Sequence, residues 1–480
     1  MNELPNGWAE VTLQDVAIWS SGGTPSRANP AYYKGEIPWF KTGELGPHVL
    51  YSAEEHISQA AVDASSAKLF AKGSVALAMY GATIGKTSIF GIDAATNQAC
   101  AVGAPDAVSA EFLYHFLVSQ EKFFGEAGKG GAQPNISQGI VKSWPFLLPP
   151  SAEQTRILEK LEELLTGLDA GVAELKAAQK KLAQYRQSLL KAAVEGALTA
   201  EWRTVNKPAE TGAQLLERIL QERRARWEAK QLAKFKEQGK APPKDWQKKY
   251  AEPVQPDAND LLELPHGWVR GNFDQLFEVL SDNGKKLSQA AYAQAGLLPV
   301  IDQGAKFIGG YTDDVSLSFD GALPVIGFGD HTRRFKLIEN PFVVGADGLK
   351  LISISSAWIP EFAFIACSTL DLEDRGYSRH FQFVRNASFP LPPLGEQSEI
   401  VVSVAARLKE NDDISEAIEL ALKQSAAQRQ NILKAAFSGQ LVPQDPSDEP
   451  ASELLARIRA ERAAQQAIKK PRGRKAKEAA

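Results

Sequence analysis

Leucine recurs with a seven-residue period along residues 151–198, at positions 161, 168, 175, 182 and 189. Leu158, Leu165 and Val172 fill the companion seam until Gln179 and Arg186 interrupt it. That spacing predicts one long amphipathic helix that needs a partner along its length. Pro149 and Pro150 stop whatever precedes it, and Ser151 with Gln154 has the spacing of an N-terminal capping box. At about 1.5 Å per residue the helix is roughly 70 Å long. A less regular stripe runs over 396–441 through Val401, Val404, Leu408, Ile418, Leu422 and Ile432, with Asn411, Ser415, Ser425 and Arg429 intruding. Both stripes are too long to stay wet, so the two rods are expected to pair. The alternative is that each rod packs separately on its own globular neighbour.

Outside the rods the periodicity changes. Residues 75–79 and 87–90 read as strands flanking a glycine-bearing turn at 81–86, and 323–327 and 350–354 read similarly. Residues 112–124 carry apolar positions at helical spacing, with an echo at 362–369. The globular parts are therefore α+β.

These parts are copies of one another. QSLLKAAVEGAL at 187–198 returns as QNILKAAFSGQL at 430–441, and Pro149, Pro150, Glu153 and Gln154 return as Pro392, Pro393, Glu396 and Gln397. LPNGW at 4–8 becomes LPHGW at 264–268, and EFLY at 111–114 becomes EFAF at 361–364. LLERI at 215–219 becomes LLARI at 454–458, so the end of the chain resembles the lead-in to a globular part, as though the molecule were nearly circular. The expected order is a globular domain at 1–150, a long helix at 151–200, and a basic helical segment with linker at 201–263. A second globular domain at 264–395, a second long helix at 396–441 and a helical segment with a basic tail at 442–480 complete it. The two long helices form an antiparallel coiled coil, and the whole is an internal repeat with pseudo-two-fold symmetry.

The net charge of −4 hides an asymmetry. Residues 1–150 and 264–395 carry −4 and −3, whereas 201–250 carry +6 and 457–480 carry +7. A nucleic-acid ligand would have to meet the globular domains through local basic loops, not a bulk field. No run of about 18 apolar residues suggests a membrane span, and the first residues lack a secretory pattern. Cys100 and Cys367, in apolar surroundings, are expected to be buried free thiols in a reducing cytoplasm.

Catalytic motifs fail on inspection. Residues 81–87 (GATIGKT) resemble a phosphate loop, but three residues separate the glycines where four are required, and Tyr80 stands where a glycine belongs. The two proline pairs lack the flanking residues of a DNA adenine methyltransferase motif. The histidines at 48, 56, 115, 266, 331 and 380 show no metal-ligand spacing. No cofactor, metal or catalytic constellation is expected.

The LPxGW openings, SGGTP at 21–25 leading to Ile37-Pro38-Trp39, and GKGGAQPNI at 128–136 carry a resemblance. So do FGDHTR at 328–333, GADGLK at 345–350, RGYSRH at 375–380, the paired proline helix starts and the LLxRI segments. Together they resemble the specificity subunit of a type I restriction-modification system over essentially the whole chain. The resemblance implies that each globular domain is a target-recognition domain reading one half of a bipartite double-stranded DNA sequence. It implies that the paired helices set the spacing and dock two modification (methyltransferase) subunits, which recruit restriction (translocase/endonuclease) subunits. The chain itself would be non-catalytic and cytoplasmic. It would direct adenine methylation and ATP-dependent cleavage by its partners.

Side-chain chemistry suggests the readers, since Arg and Lys suit guanine's major-groove edge and Asn and Gln suit adenine. In the first domain these are Lys41, Thr83, Lys86, Lys129, Gln133 and Asn135. In the second they are His331, Thr332, Arg333, Arg334, Arg375, Tyr377, Ser378, Arg379 and His380. The competing reading makes Gln133 and Asn135 turn caps, and Asp330 with His331 a pair that stabilises the fold.

Overall fold

In the computed structural model all residues are described except 1–3, 129–133, 254–262, 347, 374–375, 377–378 and 470–480. The chain divides into two compact units, one made of Met1–Lys176 with Glu419–Ala480 and the other of Ala177–Ile418. Neither unit ends where a rod begins: each takes one globular domain and about half of each rod.

In the first unit a five-stranded sheet has the spatial order Ala17–Ser21, Cys100–Pro105, Val75–Ala78, Thr87–Phe90, Val49–Leu50, all antiparallel except the last pair. Strands Glu55–Ile57, Ile37–Phe40 and Ala95–Thr96 form a second sheet. Strand Ala9–Thr12 pairs with Pro145–Leu148, Ala9 facing Leu148, and closes the domain beside the rod. The second unit repeats the plan. Its main sheet runs Val279–Leu280, Leu349–Ser353, Val325–Gly329, Phe335–Ile338, and Val269–Asn272 closes on Ser388–Leu391 with Val269 facing Leu391. The α+β expectation holds in both.

The rods are helices Ser151–Val194 and Leu394–Ala436. In the first unit Ile157, Leu161 and Leu165 share a core with Leu433, Ala436 and Phe437, whose ring meets Phe112 and Phe116 edge-on at 5.3 Å. Asp169 pairs with Arg429 there, so numbers rise on one rod as they fall on the other. In the second unit Ala193 shares a core with Ile400 and Val404, Asn411 Nδ2 donates to the Leu182 carbonyl at 3.2 Å, and Arg186 pairs with Asp412 at 2.8 Å. Both units thus hold an antiparallel rod pair. The apolar stripe is buried at the domain ends, whereas Leu168, Val172, Leu175 and Leu182 are only half-buried, because a two-helix seam covers each residue from one side.

The repeated motifs are joints. Trp8 Nε1 donates to Glu153 Oε2 at 2.9 Å, and Trp268 Nε1 donates to Glu396 Oε2 at 2.8 Å. The Gln154 amide donates to the Pro149 and Ala107 carbonyls, as Gln397 does to Pro392 and Ala357. Gln154 therefore closes no capping box with Ser151. The first helical bond runs from Gln154 N to the Pro150 carbonyl, and the glutamine side chain instead satisfies carbonyls that the helix start leaves open.

At the other end of each rod Gly196 and Gly439 take φ of +74° and +70°. Ala197 N then reaches the Ala192 carbonyl, and Gln440 N the Ala435 carbonyl, the left-handed stop that glycine adopts without strain. A side chain at Gly196 would strike Pro265, and one at Gly439 would strike Pro5. Each LPxGW opening thus lies on the end of a rod. The following helices dock alike, with Gly212 N donating to Gly267 O and Ala451 N to Gly7 O. The near-circular plan inferred from the LLxRI repeat is realised in the first unit, where the start of the chain meets its last helix.

Candidate nucleic-acid interface

In the first domain the turn Gly81–Thr83 joins strands Val75–Ala78 and Thr87–Phe90. The Thr83 hydroxyl donates to the Tyr80 carbonyl at 2.9 Å, and Lys86 N closes the turn on the Thr83 carbonyl. The segment after the glycine-rich loop lies along it, with Gly81 N donating to Pro134 O and Ile136 N to Met79 O, both at 2.9 Å. Thr83, Lys86 and Asn135 are thereby gathered on one edge, Lys86 and Asn135 exposed. Tyr80, absent from the predicted readers, stands 46% exposed opposite Asn135. Its signal was its place in a turn that otherwise favours glycine. The Lys41 ammonium pairs with Glu54 at 2.9 Å and Glu55 at 3.2 Å, which hold its pKa above the usual lysine range. Lys129 and Gln133 fall outside the described residues.

In the second domain the turn after strand Val325–Gly329 carries His331, Thr332, Arg333 and Arg334. Arg333 sits at φ +58° with its amide on the Gly329 carbonyl, and its guanidinium donates to Leu372 O at 3.0 Å. Thr332 donates to Gln303 O at 2.5 Å. Asp330 accepts from Phe381 N at 2.8 Å, and its carbonyl meets His380 Nδ1 at 2.9 Å. The stabilising partner of Asp330 is therefore the 380–381 segment. His380 is fully buried and anchors the turn from behind, whereas His331, Arg334 and Arg379 are exposed. Arg375, Tyr377 and Ser378 lie outside the described residues. Sequence reading missed Lys336, 5% exposed, whose ammonium donates to the carbonyls of Asp302, Lys306 and Phe307 and so holds the 302–307 loop beside the turn. Burial lowers its pKa.

The second unit also carries a basic hairpin. Helix Gly212–Glu237 starts at a capping box between Thr211 and Gln214. Beyond its docked first turns, Trp227 stacks on Trp246 at 5.8 Å, Phe235 meets the same ring edge-on, and Tyr250 closes the cluster. The aromatic rings face inward, which leaves Arg226, Lys230, Lys234, Lys236, Lys240 and Lys244 exposed. Both cysteines are buried free thiols, and burial pushes the Cys100 thiol up to about 12. Among the described residues no helix is long and apolar enough to cross a membrane.

One cluster runs against the expectation from histidine spacing. His48, Glu111 and His115 each bring a ligand atom within 4.8 Å of the others. Burial, and then the neighbouring His48, push His115 down to about 4.

Residues 5–177 match the family model described as the type I restriction modification DNA specificity domain. The chain is 26% identical to the EcoDI specificity subunit of Escherichia coli over 96% of this chain and 97% of that one. It is likewise 26% identical to the EcoBI specificity subunit of Escherichia coli, over 75% and 73% of the two. A chain solved in work on complex assembly and conformational transition of the type I R-M system superposes with a TM-score of 0.64 at 17% identity, covering 92% of this chain and all of that one, a likeness of fold.

Proposed function

The chain belongs to the specificity-subunit family of type I restriction-modification systems, and we propose that each of its two domains reads one half of a bipartite DNA target. The observation that carries this is the duplication of the joints: tryptophan on glutamate, proline on helix-ending glycine, and a docked helix on each opening. Two domains mounted by the same joints are two equivalent reading heads. One half-site of a few base pairs discriminates weakly, since each mismatch costs about 1–3 kcal/mol. Joining two on one chain makes the second contact intramolecular and multiplies the discrimination.

The readers are Thr83, Lys86, Asn135, Lys129, Gln133 and Lys41 in the first domain. In the second they are His331, Thr332, Arg333, Arg334, Arg375, Tyr377, Ser378 and Arg379, with His380 holding the turn. The basic hairpin adds attraction to phosphates that is independent of sequence. The paired rods space the half-sites, and their half-covered seam offers two related surfaces to two modification subunits, which recruit restriction subunits. The chain does no chemistry, and methylation and ATP-dependent cleavage belong to its partners.

Incubation of the purified chain with S-adenosylmethionine and DNA tests the division of labour. No methyl transfer is expected until the cognate modification subunit is added. Transfer by the chain alone would overturn it.

A further inference from the structure

We propose that the first unit holds a site for one borderline divalent transition-metal ion, zinc above all, formed by His48, Glu111 and His115. Glu111 and His115 lie four residues apart on helix Ala110–Ser119 and so share one face. His48 comes from the segment leading into strand Val49–Leu50, where its carbonyl accepts from Ile89 N at 2.9 Å and fixes its position. His48 Nε2 lies 2.6 Å from Glu111 Oε2, and one ligand atom of each residue falls within 4.8 Å of the others.

The geometry suits a zinc ion. Bonds of about 2.0–2.2 Å put tetrahedral ligand atoms roughly 3.2–3.6 Å apart, so small side-chain rotations that part His48 from Glu111 would seat one ion among the three. Two imidazoles and one carboxylate select zinc or its neighbours over magnesium and calcium, which take oxygen ligands. A plain ion pair between His48 and Glu111 accounts for two of the three groups and leaves His115 unexplained. His48 and Glu111 are 50% and 48% exposed, which admits the ion and leaves a fourth position for water. Arg429 of the second rod, which pairs with Asp169, faces the cluster with a positive charge and keeps the affinity moderate.

The ion would clip the segment that follows Lys41 to the helix, so its role is structural. The inference is independent of DNA reading and can fail without it. Calorimetric titration of the full chain, freed of metal by a chelator, with zinc chloride is the test. One ion per chain is expected, with Kd of about 10 μM or tighter. The His48→Ala/His115→Ala variant should weaken binding at least tenfold, and His56→Ala should leave it unchanged. Glu111→Gln keeps the side-chain shape while removing the charge, so it decides the matter should the double variant unfold, and it too should weaken binding. Zinc binding unaffected by these substitutions, or none below 1 mM, would overturn the site.

Discussion

Glu153 and Glu396 occupy the same place in the two units and live in different company. Each accepts a tryptophan N–H, but Glu396 also takes the Arg203 guanidinium at 2.7 Å and the Thr199 hydroxyl, whereas the buried Glu153 Oε1 has no partner. Burial holds the Glu153 carboxyl above the usual range. A carboxyl with a raised folded-state pKa binds more protons folded than unfolded, so its contribution opposes stability as pH climbs through that window. Glu153→Gln should therefore shift stability at neutral pH by no more than about 1 kcal/mol, while Glu396→Gln, which strands Arg203, should cost about 2–3 kcal/mol. Melting midpoints of the two variants check this, and equal losses would refute it. Among the proposed readers, Arg334→Ala and Arg379→Ala should each weaken target binding by about 1–3 kcal/mol and leave melting unchanged. Binding titrations at fixed salt measure that, and a loss of folding would make either arginine structural.

The rods show which elements were legible in sequence. A strict leucine period and a proline stop are local signals, and the helix Ser151–Val194 follows them closely. The weaker stripe of the second rod also sufficed, because the repeat supplied its register. Asn411, which looked like an interruption, is 4% exposed and donates across the seam to Leu182 O, a bond no periodicity could reveal. Gln154 was read as the capping-box partner of Ser151 and His380 as a DNA reader, yet each bonds to another segment: Ala107 O for one, Asp330 O for the other. The reach of Lys336 to Asp302 and the meeting of His48 with Glu111 were hidden for the same reason. The basic hairpin makes a prediction at this scale. Reversing the charge of Lys234, Lys236 and Lys240 should lower affinity for target and non-target DNA equally. The salt dependence should flatten by about 0.9 for each phosphate the lysines no longer neutralise. A selective fall in affinity for target DNA would instead place these lysines among the readers.

At the scale of the whole chain, the first unit joins pieces distant in sequence, whereas the second is one continuous stretch. Helix Ala451–Lys469 docks on the first domain through Ala451, Leu455 and Ile458, with Arg462 paired to Asp106 at 2.6 Å. Deleting 451–480 should strip roughly 1.5–3 kcal/mol for each buried aliphatic side chain from the first unit alone. Limited proteolysis should then open residues 1–150 while 264–395 stay protected; equal protection would contradict it. Independent reading by two equivalent heads is the central claim, and methylome sequencing of cells carrying a chimera tests it most directly. With residues 1–150 replaced by the corresponding domain of a relative, alongside the cognate modification subunit, one half of the methylated motif should change and the other half persist. A change in both halves, or in neither, would contradict the account.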